Sequence, residues 1–569
     1  MYNHDIYQKD PATRKLVNEG VASVNDETTS HALAVLRYEL ETFVCDGQYE
    51  KGMSHILETY LKNTDQAQQP GVWVSGFFGS GKSHLVKMLR ALWVDTTFAD
   101  GATARGIANL PPGISDLLKE LSTQAKRHGG LHAASGTLGS GASGSVRLAL
   151  LRIIFKSAGL PEQYSVARFV MWLRQDGIYE QVRNHVEQNG FNWQEELDNF
   201  YVAEGLHAAL MQAKPKLFAT PESCVETLNN LYPYVQDVSS DDMLKAVRQA
   251  LTKDGKFPLT LIVLDEVQQF IGGSAERSIE VQEMVEAICQ NVGGKILFVG
   301  TGQTALTGVA LLARLQGRFT VRVELSDADV DAVIRQVILA KKPEAKPQIE
   351  QIMQTNLGEV SRHLAGTTIG HMQDDIQHFS QDYPILPVRR RFWENTLRVL
   401  DQTGTESQLR NQLSMIHKVI QTNLNEPLGH VVPADYLYFD SADKLLQSRI
   451  LPRKVHEKTI TWSKGTDDEK LMARACGLVF LINKLGSQNQ ELGIKATIDT
   501  LADLLVENLS QGSGALRSKL QSLLAHCELL MRVGDEYRIQ TEESTAWNDE
   551  FLSQQAALSN EAHRIDAER

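Results

Sequence analysis

The sequence predicts an α/β protein: a parallel sheet, a large helical insertion within it and helical segments after it. Three observations carry this prediction. Gly71-Val72-Trp73-Val74-Ser75 is an apolar, strand-like run that leads into Gly76-Phe77-Phe78-Gly79-Ser80-Gly81-Lys82-Ser83, after which His84-Leu85-Val86-Lys87-Met88-Leu89 continues as a helix. Leu259-Thr260-Leu261-Ile262-Val263-Leu264 is an uninterrupted apolar run closed by Asp265-Glu266, the pattern of a central strand covered on both faces. Beyond residue 327 apolar residues recur at helical spacing, and the chain ends in further helical segments and a hairpin pattern.

The first of these runs is G-x-x-x-x-G-K-S between a strand and a helix, the context that gives the motif its chemistry. Gly76 and Gly81 allow backbone conformations that a Cβ penalises, so successive N–H groups can converge on one anion. The helix N-terminus adds partial positive charge. On this reading Gly76 to His84, that is Gly76, Phe77, Phe78, Gly79, Ser80, Gly81, Lys82, Ser83 and His84, bind a nucleoside triphosphate. Lys82 reaches the β- and γ-phosphates and Ser83 ligates Mg²⁺, so ATP and Mg²⁺ are the expected cofactors.

The acidic strand end supplies the second half of the site. Asp265 is expected to hold Mg²⁺ through water and Glu266 to polarise the attacking water, which favours a hydrolase over a kinase that must exclude water. Lys295-Ile296-Leu297-Phe298-Val299-Gly300 is a third strand ending in Thr301-Gly302-Gln303-Thr304. Where a strand lies between the two phosphate motifs, a polar residue at its tip orients the lytic water. Thr301 and Gln303 are both candidates; a plain strand-to-helix turn capped by Thr304 is the alternative.

Leu311-Leu312-Ala313-Arg314-Leu315-Gln316-Gly317-Arg318-Phe319 then leads into the alternating strand Thr320-Val321-Arg322-Val323-Glu324-Leu325. This arrangement resembles the AAA+ ATPases. The resemblance implies that Arg318 or Arg314 projects toward a neighbouring subunit's nucleotide, and hence a homo-oligomer. It also implies a helical lid. Residues 327–340 place Val330, Val333, Ile334, Val337 and Ile338 on one face, and a later helix runs through Leu413, Ile416, Val419 and Ile420, with Thr405 or Ser407 as a cap. Arg410, near the start of that helix, is the candidate second sensor of the γ-phosphate. Arg389-Arg390-Arg391 reads either as a solvated or salt-bridged face or as a further phosphate contact.

A narrower likeness is carried by five further segments. Phe43-Val44-Cys45-Asp46-Gly47-Gln48-Tyr49-Glu50, the phosphate loop, Leu264-Asp265-Glu266-Val267-Gln268-Gln269, Pro387-Val388-Arg389-Arg390-Arg391-Phe392-Trp393 and Pro433-Ala434-Asp435 are similar to the amino-terminal half of the BrxC (PglY) family of BREX phage-defence systems. The likeness spans about residues 40–440. It implies a bacterial cytoplasmic ATPase acting with a methyltransferase, a phosphatase-like protein and small accessory proteins. Members of that family are much longer than this chain, so a truncated or shortened relative is expected.

Composition limits the remaining classes. With 42% hydrophobic and 22% charged residues the chain has an ordinary globular composition. It has no apolar run long enough to span a membrane and no secretory leader pattern at Met1-Tyr2-Asn3-His4-Asp5, so no membrane association is expected. Cys45, Cys224, Cys289, Cys476 and Cys527 lie far apart, as reduced thiols rather than a zinc site. A net charge of −13 argues against coating nucleic acid by bulk electrostatics.

About 180 residues separate Lys82 from Asp265, far more than a minimal core needs. The glycine-serine stretch 136–145 lacks a Gly-Lys-Ser ending and is no second phosphate loop; after it the sequence is helical to about residue 251. The expected organisation is an N-terminal extension and helix (1–65), a P-loop core (66–326) with a helical insertion at about 146–251, a helical lid (327–440), a winged-helix-like module (441–545) and a C-terminal helix (546–569). The winged-helix reading rests on helices at 469–485, 497–509 and 515–530 followed by a hairpin at 531–540. Its third helix offers only Arg517 and Lys519, so DNA binding is expected to be weak. Two functional readings are open: a nucleotide-gated assembly switch and, as the alternative, an ATP-driven DNA motor or translocase.

Overall fold

Strands β1 (Gly71–Ser75), β2 (Leu131–Thr137), β3 (Leu259–Asp265), β4 (Ile296–Gly302) and β5 (Phe319–Glu324) form one sheet in the order β2-β3-β4-β1-β5. Every pairing in it is parallel. This is the P-loop nucleotidase core that the sequence predicts, with β4 lying between the two phosphate-motif strands. The register aligns the strand ends: Val74 of β1 faces Thr301, Ser75 faces Gly302, and Leu264 of β3 faces Gly300. The carboxyl ends of β1, β3 and β4 therefore share one edge.

The computed structural model describes residues 1–12, 24, 29–76, 80–138, 145–325, 331–400, 409–540, 550 and 554. The chain divides into two compact units, residues 17–332 and residues 1–16 with 333–569.

In the first unit alternate strand residues feed two layers. Val72, Val74, Leu261, Val263, Leu297 and Val299 pack with the helices Gly47–Asn63, Lys82–Trp93 and Pro112–Ala125. Trp73, Ile262, Leu264, Ile296 and Phe298 pack on the other face with the helix Ala275–Asn291 and the insertion. β1, β3 and β4 are buried along their whole length, whereas edge strand β5 alternates buried and exposed. β2 was not anticipated from the sequence. Its Ala133-Ala134-Ser135-Gly136 segment has little strand propensity, and its place is set by packing: a Cβ on Gly136 would lie 2.7 Å from the Ile153 side chain.

The expected insertion lies between β2 and β3 as seven helices, Val146–Ser157, Tyr164–Gln175, Tyr179–Gln188, Trp193–Asp198, Glu204–Ala213, Pro221–Leu231 and Ser240–Leu251. Their centre is aromatic, with the Phe169 ring 4.9 Å from Phe200 and 5.6 Å from Tyr232. Of the glycine-serine stretch, residues 139–144 lie outside the described part.

In the second unit the first residues pack with the later chain. Gln8 N–H donates to the Ala340 carbonyl, and Tyr383 donates its hydroxyl hydrogen to Asn3 Oδ1 at 2.7 Å. The anticipated helix at 327–340 is described only from residue 331 and widens into a π-turn at Ile334–Ile338. The helices Asp467–Gln488, Ile498–Leu505 and Gly514–Leu524 precede a hairpin, β6 (Leu530–Val533) and β7 (Glu536–Ile539), which turns at Gly534.

The triple arginine has an internal role. Arg389 is fully buried and donates to the carbonyls of Val432, Asp503 and Val506 at 2.5–3.0 Å, closing the C-terminal end of the helix Ile498–Leu505. Arg390 pairs with buried Asp382 at 2.9 Å, and Arg391 with Asp375 at 2.6 Å. The expected boundary at residue 440 thus falls inside a unit that buried arginines stitch together. The C-terminal helix expected at 546–569 lies outside the described residues except for Glu550 and Gln554. Among the described residues no helix is long and apolar enough to cross a membrane, and all five cysteines are buried and free.

Candidate functional site

The phosphate loop joins β1 to the helix Lys82–Trp93 through Gly81, whose φ of 86° is a left-handed conformation that other residues rarely adopt. A Cβ there would also collide with the Tyr49 hydroxyl, which donates to the Ser80 carbonyl at 3.3 Å. Tyr49 meets Phe43 edge-on, and Phe43 meets His84, so an aromatic wall backs the loop. Burial pushes the His84 imidazole down from its ordinary pKa and keeps it neutral. Phe77, Phe78 and Gly79 lie outside the described residues.

Lys82 folds back so that Nζ donates to the Gly76 carbonyl at 2.8 Å. Burial lowers its pKa to about 8, against the opposing pull of Asp265 and Glu266. The carboxylates of β3 therefore lie close enough to Lys82 to act on its charge. Ser80 Oγ is buried with no hydrogen-bond partner among the described residues. A half-buried ammonium and a buried hydroxyl without a partner among the described residues, at a helix N-terminus, fit an anion such as a nucleotide phosphate. Ser83, partly exposed on the first helical turn, and Asp265 at the β3 end supply hard oxygen donors suited to Mg²⁺.

At the end of β3, Asp265 is 5% exposed and Thr301 of β4 1% exposed. Thr301 donates its hydroxyl hydrogen to Asp265 Oδ1 and accepts the Glu266 N–H at 3.0 Å. Glu266 adopts φ 60°, a left-handed turn rare for a residue with a Cβ, and the helix Val267–Ile271 starts directly after it. Its carboxyl pKa is raised, first by burial and then by Asp265, with Lys82 opposing. Such a shift suits a group that must take up a proton. Strand β4 runs on through Gly302, so Thr301 stands within the strand, and the next helix begins only at Ala310, leaving Thr304 uninvolved in a cap.

Three neighbours escaped the sequence reading. Gln268 Oε1 accepts the backbone N–H groups of Gln303 at 2.6 Å and Thr304 at 2.9 Å, pinning the β4 tip. Gln269, with its amide nitrogen turned to Glu266, donates to that carboxylate at 2.9 and 3.2 Å and accepts from Gln303 Nε2 at 3.2 Å. Trp73 donates from Nε1 to the Thr304 carbonyl at 3.2 Å. Its ring fills the space over Gly300 and Gly302, where a Cβ on Gly302 would collide with it. The available signal was proximity in sequence: Gln268 and Gln269 lie two and three residues after Glu266, on the helix Val267–Ile271.

The arginines divide. Arg318 pairs with Glu286 of its own unit at 2.6 Å. Arg314, in the turn Arg314–Gly317, is exposed and makes no ion pair or hydrogen bond among the described residues. Arg410 lies on the helix Leu409–Thr422, and its side chain is outside the described part.

No protein-family profile matches the chain. Among solved structures it is similar to an Aeropyrum pernix ORC1 protein in complex with DNA, at 11% identity over 96% of this chain and 98% of that one, with a TM-score of 0.27. It is likewise similar to Drosophila ORC bound to DNA, at 10% identity over 92% and 93% of the two chains, with the same TM-score. Likeness at this level carries no argument, and the fold assignment stands on the strand order itself.

Proposed function

We propose that this chain is an AAA+-type ATPase that hydrolyses ATP with Mg²⁺ and acts as a nucleotide-gated assembly switch in a homo-oligomer. The observation that carries the reading is the convergence of Lys82, Asp265, Glu266 and Thr301 at the shared edge of β1, β3 and β4. Lys82 and the loop amides bind the phosphates. Ser83 and Asp265 would hold Mg²⁺, which when bound would offset phosphate charge. Glu266 takes the proton of the attacking water, with Thr301 and Gln303 orienting it.

Arg314 is the better candidate than Arg318 for a contact to a neighbouring subunit's nucleotide, because among the described residues it has no carboxylate partner to leave. The switch reading is favoured over the DNA motor by the third helix of the C-terminal module. Arg517 is tied to Asp499 and Asp503 at 2.7 Å, and Lys519 to Asp468 at 2.7 Å, so neither cation is available to phosphates without breaking an ion pair. The three helices and hairpin fit a winged-helix-like module used for protein contact. The BrxC resemblance supports a cytoplasmic role in BREX-type anti-phage defence, alongside its methyltransferase, phosphatase-like and small accessory partners.

The test combines sizing with turnover. Wild-type and Glu266→Gln protein are sized with and without a non-hydrolysable ATP analogue, and hydrolysis is followed with and without duplex DNA. Nucleotide-dependent assembly with DNA-independent turnover is expected; strong stimulation by DNA would establish the motor, and no nucleotide binding at all would defeat both readings.

A further inference from the structure

Six of the twelve exposed large hydrophobic side chains among the described residues fall between positions 191 and 234 of the insertion. Val202 is 72% exposed and Tyr234 70%, with Leu231 and Phe191 also open. Their backbone supports are joined. Tyr201, next to Val202, donates from its hydroxyl to the Tyr232 carbonyl at 2.6 Å, between Leu231 and Tyr234. The Phe191 ring lies on Gly205, close enough that a Cβ there would sit 2.6 Å from it. Tyr232 itself is anchored in the insertion core by ring contacts to Phe169 and Phe200. Apolar side chains gathered in one stretch and left in water over a buried aromatic support are the material of an interaction surface.

The same stretch is strongly acidic. Residues 191–242 hold nine Asp and Glu against two Lys; Glu196 is buried, Asp237 pairs with Arg147 and Arg168 lies over the Tyr232 ring, while Asp198, Glu204, Glu222 and Glu226 are exposed beside or between the apolar positions. That charge excludes most occupants. DNA and anionic lipid would be repelled, and a second copy meeting this face with its own would set like carboxylates against each other. We infer that the insertion presents an acidic, apolar docking face for a basic amphipathic segment of another protein, whose leucine or aromatic side chains cover Val202, Leu231 and Tyr234 while its lysines or arginines meet the rim. This goes beyond the ATPase reading and does not depend on it.

The experiment uses the full chain and fluorescence anisotropy with three labelled peptides of about eighteen residues, five helical turns. One is an amphipathic Leu/Lys helix, one its Leu/Glu counterpart, and one a Ser/Lys peptide of equal charge. The Leu/Lys peptide should bind at least about tenfold tighter than either other, and Val202→Ser with Tyr234→Ser should remove that advantage while ATP turnover and the thermal melt stay unchanged. Glu204→Lys with Glu226→Lys should weaken it at low salt. Equal binding of the Ser/Lys peptide, or no effect of the apolar substitutions, would reduce the effect to general electrostatics and overturn the inference. Self-association that Val202→Ser with Tyr234→Ser abolishes would overturn it in favour of a second copy.

Discussion

Lys82 shows how a side chain can be prepared for an absent charge. Burial lowers its pKa to about 8 while a carbonyl holds its ammonium in place. Bound phosphates would restore the higher value, so binding takes up a proton wherever free Lys82 is neutral. Nucleotide affinity should therefore be flat below pH 8 and fall by up to about tenfold per pH unit above it. Calorimetry in buffers of different ionisation enthalpy checks this; proton release on binding above pH 8 would contradict it. Lys82→Ala should abolish binding, whereas Glu266→Gln keeps size and binding but loses the base. Parental turnover in Glu266→Gln would refute the base assignment. Thr301→Val removes the hydroxyl that joins Asp265 to the Glu266 N–H, and should lower kcat by at least about tenfold with little change in nucleotide affinity. The residues of the candidate site were legible because the phosphate-loop and strand-end patterns that mark it are local in sequence. Gln268 and Gln269 were not, since their roles depend on how β3 and β4 align.

The elements differ in how far sequence pattern determines them. β1, β3 and β4 announce themselves as apolar runs because both faces are covered. β2 does not, because a strand of Ala, Ser and Gly is held by its neighbours' packing rather than by its own propensity. The Trp73 indole and the two glycines of β4 form one complementary feature spread over two distant segments, which no local pattern reveals. Gly302→Ala should press a methyl into the indole, costing about 1–3 kcal/mol and lowering the melting temperature by several degrees. Trp73→Phe in the same chain should recover part of the loss. Arg389 makes a parallel case in the second unit. Read along the sequence, it is one of a run of charges; folded, it is a fully buried clamp. Arg389→Met would orphan three carbonyls at about 1–3 kcal/mol each, and scanning calorimetry should show that unit melting earlier or losing its cooperative transition.

At the scale of the whole molecule, the sequence order of segments and their grouping in space part company. The first sixteen residues belong with the later chain, not with the core they precede, because Asn3 and Gln8 find their hydrogen-bond partners there. The helical insertion and the C-terminal helices were visible as periodic apolar patterns; the joining of residues 333–440 with the C-terminal helices into one unit was not, since it runs through buried arginines. The proposed dependence of hydrolysis on a neighbouring subunit belongs to this scale too. Arg314→Ala should leave nucleotide affinity intact and lower turnover by at least about 10³-fold, in the range of other trans-acting arginines. Mixing it with Glu266→Gln protein should restore part of the activity. Turnover independent of protein concentration and indifferent to Arg314→Ala would point to a monomeric enzyme.

All five thiols lie beneath the surface, which leaves the exterior chemically silent toward maleimides. A single cysteine placed on each unit would then be the only fast-reacting thiols, so a donor and acceptor dye pair can be attached to otherwise native protein. Distances between the units with and without added nucleotide become directly measurable in single molecules, without first stripping the chain of its own cysteines.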